Sequence, residues 1–263
     1  MSLGVVFVSI WAWGTKVPLR PQRTEIRPLA ILGLLFTIQI ALLNSATELT
    51  SPAYGVVLLN SYPIFVNLAA HFAAGYWPSV REERITPIRA IGLALAIGGV
   101  ALLAFSSPDK ALAPNPILGN VLMVISSVLL GIRQVYTRWL VQNINPVRSL
   151  VWQMAVSVPL FFTVAAFKES PMVGPFKWQA IAAICYQGMV VAGVCFIVWT
   201  KLLKRHSSGT LSMFSFVVPI GGIALSSILF GEQLRPALAW GTLLVLAGVF
   251  VVVRHGQERK EES

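Results

Sequence analysis

Four side-chain amides lie near the middle of long apolar segments, where they could hydrogen-bond a polar solute. They are Gln39, Asn60, Asn67 and Gln187, and Tyr62 follows Asn60 by two residues. A carboxamide in apolar surroundings is costly unless it is paired, so it either lines a polar cavity or bonds a neighbouring helix. Both interpretations stay open for each amide. We take these five residues as candidate contacts to a bound small molecule.

Two prolines, Pro63 and Pro219, also lie near the centres of apolar segments. Each removes a backbone hydrogen bond and is expected to kink its helix. Because transporters commonly bind their substrates where helices are broken near the bilayer midplane, the two prolines are predicted markers of a site. Phe214 and Ser215, one helical turn before Pro219, are the corresponding candidate contacts in the later segment.

Arg133 is the charged residue placed furthest inside an apolar segment. A charge at that depth faces protein or water, and a guanidinium there could hold a substrate carboxylate. The alternative is that its long side chain extends to the membrane interface, because Arg133 lies past the middle of its segment. No Asp or Glu lies at mid-segment, so the sequence shows no obvious group for proton coupling.

The remaining residues give no sign of catalysis. The three histidines, His71, His206 and His255, are far apart in sequence, and the two cysteines make no metal-ligand pattern. An intramembrane enzyme would need a nucleophile with a base, or a metal cluster, within the segments. A phosphate-binding loop is also missing. The sequence therefore predicts no catalytic residue, no metal and no cofactor.

The elements that must position the candidate residues are membrane-spanning helices. Hydrophobic residues make up 56% of the 263 residues and charged residues only 11%, with a mean hydropathy of +0.75. A soluble domain is about 25% charged. Most apolar segments are long enough for a helix to cross a bilayer. We predict nine spans, of which the first is short: 3–14, 28–47, 53–72, 88–105, 117–140, 149–167, 178–202, 209–230 and 237–253.

The basic residues indicate how the spans are oriented. Of the twenty Lys and Arg, fifteen lie in or beside one alternate set of links, four lie in the other set, and Arg133 lies inside a span. Cytoplasmic links carry the excess of positive charge. The bias places the C-terminus in the cytoplasm, and it explains the net charge of +10 without a nucleic-acid partner. The expected surroundings are the lipid bilayer of the cell membrane, crossed several times.

One segment of the chain occurs twice. A shift of 156 residues places Ser51 on Ser207, Pro63 on Pro219 and Gly75 on Gly231, and after one insertion a shift of 149 aligns the rest. That second shift pairs Glu83 with Glu232, Pro87 with Pro236, Gly92 with Gly241 and Gly99 with Gly248. The basic cluster follows the proline-bearing span in the earlier copy and precedes it in the later one. The two copies therefore cross in opposite directions, as inverted repeats do in secondary transporters.

These paired segments resemble the drug/metabolite transporter superfamily, EamA type. The resemblance rests on Ser51-Pro52-Ala53 through Pro63, and on Gly209 through Pro219 to Phe230-Gly231-Glu232. It implies an all-α fold of ten helices in two inverted five-helix repeats, and carriage of small solutes, often outward. This chain reads as nine transmembrane helices (4+5) that lack the first of the ten. The expected organisation is a first repeat at 1–107, a second at 108–256 and a cytoplasmic tail at 257–263.

The resemblance implies a secondary transporter, exporter or facilitator, of small metabolites such as amino acids or drug-like solutes. Transport would proceed by alternating access between the two repeats. The alternative is a truncated or non-transporting membrane subunit of the same fold. The expected partners are the lipid bilayer and a small-molecule substrate, and the oligomeric state stays open.

Overall fold

The computed structural model describes residues 1–76, 86–107, 112–168, 178–208, 211 and 217–261, with side chains up to residue 252. Every regular element in these residues is helical. The α-helices are α1 Ser2–Gly14, α2 Arg23–Thr47, α3 Pro52–Leu59, α4 Tyr62–Ala73, α5 Pro87–Ala104, α6 Pro116–Asn143, α7 Pro146–Lys168, α8 Trp178–Cys185, α9 Phe196–Arg205, α10 Val217–Phe230 and α11 Pro236–Glu261. A π-helix, Tyr186–Cys195, joins α8 to α9.

Proline marks where several of these helices begin. The first residues of α3, α5, α6, α7 and α11 are Pro52, Pro87, Pro116, Pro146 and Pro236. The first backbone N–H groups of a helix have no intrahelical acceptor, so a proline there loses nothing, and its fixed φ favours the helical conformation. In these five places, proline thus marks the end of a link and the first residue of the next helix.

The predicted fold class, an all-α multi-pass membrane protein, is confirmed. Within the described residues, six helical segments are long and apolar enough to cross a membrane: Arg23–Thr47, Pro52–Ala73, Pro87–Ala104, Pro116–Asn143, Pro146–Ala166 and Trp178–Arg205. Three shorter apolar helices accompany them: Ser2–Gly14, Val217–Phe230 and Pro236–Val252. These nine segments fall on the nine predicted from the sequence. The last helix runs on through the charged tail to Glu261.

The chain forms two compact units. The first unit comprises Met1–Ile38 and Tyr136–Arg205, and the second comprises Gln39–Val135 and His206–Ser263. Each unit therefore takes part of its chain from each sequence repeat. The repeat boundaries themselves, 1–107 and 108–256, stay a prediction.

Apolar packing around α1 forms the core of the first unit. Val8 and Ala12 of α1 are buried against Val151 and Met154 of α7 and against Ala192 of the π-helix. Glycines allow the close approach: a Cβ added to Gly188 would lie 2.7 Å from Leu3 Cβ, and one added to Gly193 would lie 2.4 Å from Phe7 Cδ1. Small residues of this kind let helices pack closely in a membrane.

Side chains of α7 fasten both the first turn of α2 and the link that precedes it in the first unit. Arg148 Nη1 donates to both carboxylate oxygens of Glu25 at 2.9 Å, and Arg148 Nε donates to Pro18 O at 2.7 Å. Trp152 Nε1, one turn further along α7, donates to Leu19 O at 2.8 Å. Two side chains of α7 therefore supply hydrogen bonds to backbone carbonyls of a link that has no secondary structure of its own.

Two glycine contacts organise the second unit, where α5 packs against α11. A Cβ on Gly92 would lie 2.7 Å from Gly248 O, and a Cβ on Gly99 would lie 2.8 Å from Gly241 O. The helices are antiparallel, because the early glycine of one meets the late glycine of the other. In the sequence repeat, Gly92 corresponds to Gly241 and Gly99 to Gly248, so the two contacts exchange under a two-fold operation. This exchange is what inverted repeats require.

Helices α3 and α10 also pack in the antiparallel sense, and they belong to the two spans that correspond in the repeat, 53–72 and 209–230. A Cβ on Gly222 of α10 would lie 2.4 Å from Val56 Cγ1 of α3, and Glu232, just after α10, bonds Ala53 N at the start of α3. The end of α10 thus lies beside the beginning of α3. Within this unit, the spans that correspond in the repeat therefore run in opposite directions, as α5 does to α11 and α3 does to α10.

Candidate functional site

The helical span Pro52–Ala73 is interrupted near its centre. Helix α3 ends at Leu59 and α4 begins at Tyr62, so the break lies at Asn60 and Ser61, and Pro63 is the second residue of α4. Proline lacks an N–H, and the carbonyl four residues before it, that of Leu59, loses its helical donor. A carbonyl freed at membrane depth needs another partner.

Helix α6 supplies that partner. Ser127 Oγ donates to Leu59 O at 3.1 Å, and Ser61 Oγ donates to Leu58 O at 2.6 Å. The two hydroxyl oxygens lie 3.2 Å apart, and both serines are buried. The break is therefore a stable feature, because serine hydroxyls replace the backbone donor that the helix lacks.

A second polar contact joins α2 to α6 beside this one. Gln39 Nε2 donates to Ser126 Oγ at 3.1 Å, and Ser126 Oγ donates to Gln39 O at 3.0 Å. The side chain of Gln39 is 1% exposed, and its carbonyl oxygen Oε1 is buried without a hydrogen bond. We call the set Gln39, Asn60, Ser61, Ser126 and Ser127 the break layer. Hydrogen bonds within this layer join α2 to α6, and join α6 to the break between α3 and α4.

Asn60 and Asn67 have the same local arrangement. Asn60 Nδ2 donates to Val56 O at 2.8 Å, and Asn67 Nδ2 donates to Pro63 O at 2.8 Å. Each amide nitrogen is thus held by a carbonyl one turn earlier in its own chain segment. Hydrogen bonds that fix the amide nitrogen leave the amide oxygen as an acceptor. Asn60 is half-buried and Asn67 is buried, so Asn60 is the more accessible of the two residues.

Tyr62 and Arg133 lie further along the contact between α4 and α6. Tyr62 is buried in an apolar cluster with Val66, Ala70 and Val135. A Cβ on Gly131 would lie 2.7 Å from Phe65 Cβ, which fixes α6 against α4 one turn beyond the break. Arg133 follows Gly131 by two residues and is half-buried.

The other predicted contacts belong elsewhere. Gln187 lies in the π-helix of the first unit and is exposed. Phe214 and Ser215 lie outside the described residues. Pro219 is in the first turn of α10, where a proline is tolerated. The kink expected at Pro219 stays a prediction, because residues 212–216 also lie outside the described residues.

Sequence reasoning missed the serines of α6. Ser126 and Ser127 form a polar pair in the middle of an otherwise apolar segment, and this signal matches that of the amides singled out above. Asn120, one turn into α6, was missed as well: its Oδ1 accepts from Thr50 Oγ1, and its Nδ2 donates to Leu103 O at 3.0 Å. All three side chains bond other helices and hold α6 in place.

Replacing Ser127 by alanine is expected to lower the stability of the protein by about 1–2 kcal/mol, because Leu59 O would be left buried without a donor. The melting temperature should fall by about 4 °C, measured by tryptophan fluorescence in nanodiscs. The control is Ser157→Ala in α7, where a buried serine bonds only Met154 O of its own helix. Equal shifts for the two variants would show that the break does not depend on α6.

Comparisons with known proteins agree with the fold and with each other. The model of the EamA-like transporter family matches residues 117–254, just over half of the chain. An uncharacterized transporter of Bacillus subtilis (strain 168) is 20% identical over 95% of this chain and 84% of its own length. A "probable amino-acid metabolite efflux pump" of Escherichia coli (strain K12) is 23% identical over 85% of this chain and 76% of its own. One solved crystal structure, 20% identical, covers 97% of this chain with a TM-score of 0.67.

Proposed function

The chain belongs to the EamA-like transporter family, within the drug/metabolite transporter superfamily, and from that premise we propose that it exports small amphipathic metabolites, amino acids among them. The observation that carries the proposal is the break between α3 and α4. It places the half-buried Asn60 near the middle of a span, and its amide nitrogen is held by Val56 O at 2.8 Å. Interrupted helices near the bilayer midplane are where such carriers bind substrate.

The polar groups at the break suit a substrate with an ammonium group. The amide oxygens of Asn60 and Asn67 accept hydrogen bonds, and the buried Oε1 of Gln39 is a third acceptor. An ammonium group has three donors and no acceptor. A solute with one ammonium group and an apolar body would donate to the Asn60 oxygen and fit the largely apolar surroundings. An amino acid is the simplest such solute.

Arg133 is the proposed partner of the substrate carboxylate. It lies on α6, two residues beyond the close contact of Gly131 with Phe65, and Asn67 lies two residues beyond Phe65 on α4. A guanidinium binds a carboxylate through paired hydrogen bonds that are stronger than neutral ones. The two ends of an amino acid would then contact α4 and α6, which the serines of the break layer hold together.

The names of two bacterial relatives support an amino-acid substrate. Those of Salmonella typhimurium and Escherichia coli are each described as a "probable amino-acid metabolite efflux pump". The glycine contacts of α5 with α11 are related by a two-fold operation, as inverted repeats require. Inverted repeats support transport by alternating access, in which the protein converts between inward-open and outward-open states. The proposed location is the cell membrane, and the excess of positive charge in one set of links favours a cytoplasmic C-terminus.

The experiment is counterflow of labelled amino acids by purified protein in liposomes. Asn60→Ala is expected to lower the initial rate by about 10-fold or more, because a lost hydrogen bond to a charged group costs about 1.5–3 kcal/mol. The control is Asn44→Ala, an exposed asparagine near the end of α2 in the same unit, which should transport like the wild type.

Two results would contradict the proposal. Equal rates for Asn60→Ala and the wild type would remove the break layer as the substrate site. No movement of any labelled amino acid by folded wild-type protein would favour the alternative, a non-transporting subunit of the same fold.

A further inference from the structure

The junction between the end of α10 and the beginning of α3 contains a buried carboxylate that the proposed substrate site does not use. Gly231 follows α10 with φ at +66°, a left-handed conformation that favours glycine. This turn reverses the chain, and Ser227 Oγ fixes it by donating to Glu232 O at 2.9 Å. The side chain of Glu232 is thereby directed back among the helices, where the residue is 6% exposed.

One oxygen of the Glu232 carboxylate has an evident structural role. Pro52 at the start of α3 has no N–H, so the N–H of Ala53 is the first that needs an acceptor. Glu232 Oε2 accepts from Ala53 N at 3.1 Å and also accepts from Ser226 Oγ. The carboxylate therefore caps α3 from another part of the chain, in place of the usual capping side chain Ser51.

Three other oxygens at this junction have no hydrogen-bond partner and are buried. They are Glu232 Oε1, Ser51 Oγ and Tyr54 Oη, and Ser51 and Tyr54 are 0% and 1% exposed. Ser51 immediately precedes α3, and the Tyr54 hydroxyl lies within Coulombic range of Glu232. Each buried polar atom without a partner costs about 1–3 kcal/mol, and such atoms are rare in folded proteins. These three oxygens, on residues at one helix end, are the acceptors that a bound cation at this junction would use.

The chemistry of the junction selects the kind of group. All three open atoms are oxygens, and no Lys or Arg in the described residues forms an ion pair with Glu232. Arg235 also lies within Coulombic range of Tyr54, but it is exposed and its Nη1 donates to Ser107 O at 3.2 Å. A buried carboxylate without a counter-ion favours a cation, and oxygen ligands favour a hard one.

The end of α10 adds a second attraction. The last carbonyls of a helix carry partial negative charge, and ends of interrupted helices coordinate Na⁺ in secondary transporters. The described residues hold no group of three or more His, Cys, Asp or Glu, so a transition-metal site is not indicated. One carboxylate with two hydroxyl groups suits a single positive charge.

We propose that Glu232, Ser51 and Tyr54 bind a monovalent cation, Na⁺, at the junction of α3 and α10. The cation bridges the three open oxygens and ties α3 to α10, which belong to the two corresponding spans of the inverted repeats. Binding itself does not rest on the proposed function. If the protein is the exporter proposed above, the same site supplies the energy coupling that mid-span residues lack.

The test is the melting temperature of the full-length protein in nanodiscs, with NaCl exchanged for choline chloride at constant ionic strength. No substrate is present, so the result does not depend on transport. Saturating Na⁺ is expected to raise the melting temperature of the wild type by about 5 °C. In Glu232→Gln, which keeps an acceptor for Ala53 N, the Na⁺-dependent rise should disappear.

Two further variants guard against a folding defect in Glu232→Gln. Tyr54→Phe leaves the cap of α3 intact and should need about 10-fold more Na⁺ for the same rise. Glu48→Gln removes an exposed carboxylate from the link that precedes α3 and should respond like the wild type. The proposal is wrong if Na⁺ and choline give the wild type the same melting temperature. It is also wrong if the melting temperature changes with pH but not with Na⁺.

Discussion

Alanine at Gly99 is expected to destabilise the protein by about 2–3 kcal/mol, although alanine favours a helix over glycine by about 1 kcal/mol. The reason is the contact between α5 and α11. The new Cβ would lie 2.8 Å from both Gly241 O and Val245 N, and 2.9 Å from Leu244 Cβ. Two of these atoms are backbone and cannot move aside as a side chain can, so the helices must separate.

The neighbouring residue provides the control. Gly98 is in the same helix, and a Cβ there would meet nothing within 4 Å. Gly98→Ala should therefore keep or slightly raise the melting temperature, while Gly99→Ala lowers it by about 7 °C. Gly248, which corresponds to Gly99 in the repeat, should behave like Gly99 on substitution by alanine, because its Cβ would lie 2.5 Å from Ala96 N. If Gly98→Ala and Gly99→Ala melt together, the antiparallel glycine contact does not stabilise the fold.

Methionine at Arg148 is expected to cost about 3 kcal/mol of stability in the first unit. The substitution removes the hydrogen bond to Pro18 O and those to Glu25, whose side chain is only 10% exposed. Breaking one partner of a buried pair costs about 3–5 kcal/mol, mainly because the other charge stays buried. Glu25 would keep only the hydrogen bond from Gln22 N. The link between α1 and α2 would then be hydrogen-bonded to α7 through Trp152 Nε1 and Leu19 O alone among the contacts described above.

Thermal unfolding of Arg148→Met should show a decrease of about 8 °C in melting temperature. The matched control is Arg20→Met, an exposed arginine in the same link, for which we expect no change. Glu25→Gln combined with Arg148→Met should recover part of the loss, since the stranded carboxylate is then neutral. A single Arg148→Met variant as stable as Arg20→Met would show that the ion pair is a surface feature of little worth.

The positions of the helices followed closely from the sequence. The segment predicted at 88–105 is a helix at Pro87–Ala104, and the one predicted at 3–14 is a helix at Ser2–Gly14. Backbone groups in a bilayer must be satisfied within their own segment, so apolar length alone predicts a helix. Proline marked the starts because it costs nothing there.

The interruption at Asn60 and Ser61 was less well determined. Pro63 indicated that a hydrogen bond would be missing, but proline is also tolerated in continuous membrane helices when a neighbour satisfies the freed carbonyl. Here Ser127 does so at 3.1 Å, 68 residues beyond Leu59. The residues around Pro63 do not show that a serine so far along the chain supplies the missing hydrogen bond. The serine pair of α6 was therefore overlooked.

Glu232 shows the same division more sharply. In the sequence it lies at the end of a span and aligns with Glu83 in the repeat, but the sequence does not show what it binds. In the structure it caps α3 through Ala53 N, 179 residues earlier in the chain. A carboxylate near a span end is ordinarily solvated, and only the left-handed turn at Gly231 brings this one into the protein.

The sequence alone thus determined the membrane class, the spans, the inverted repeat and the family resemblance, because periodicity, apolar length and charge bias are local or additive properties. The tertiary structure decided which polar groups meet: Gln39 with Ser126, Ser127 with Leu59 O, and Glu232 with the start of α3. Such pairs depend on the rotation and depth of each helix. Those are set by packing at contacts such as Gly131 with Phe65 and Gly99 with Gly241, which join residues far apart in the chain.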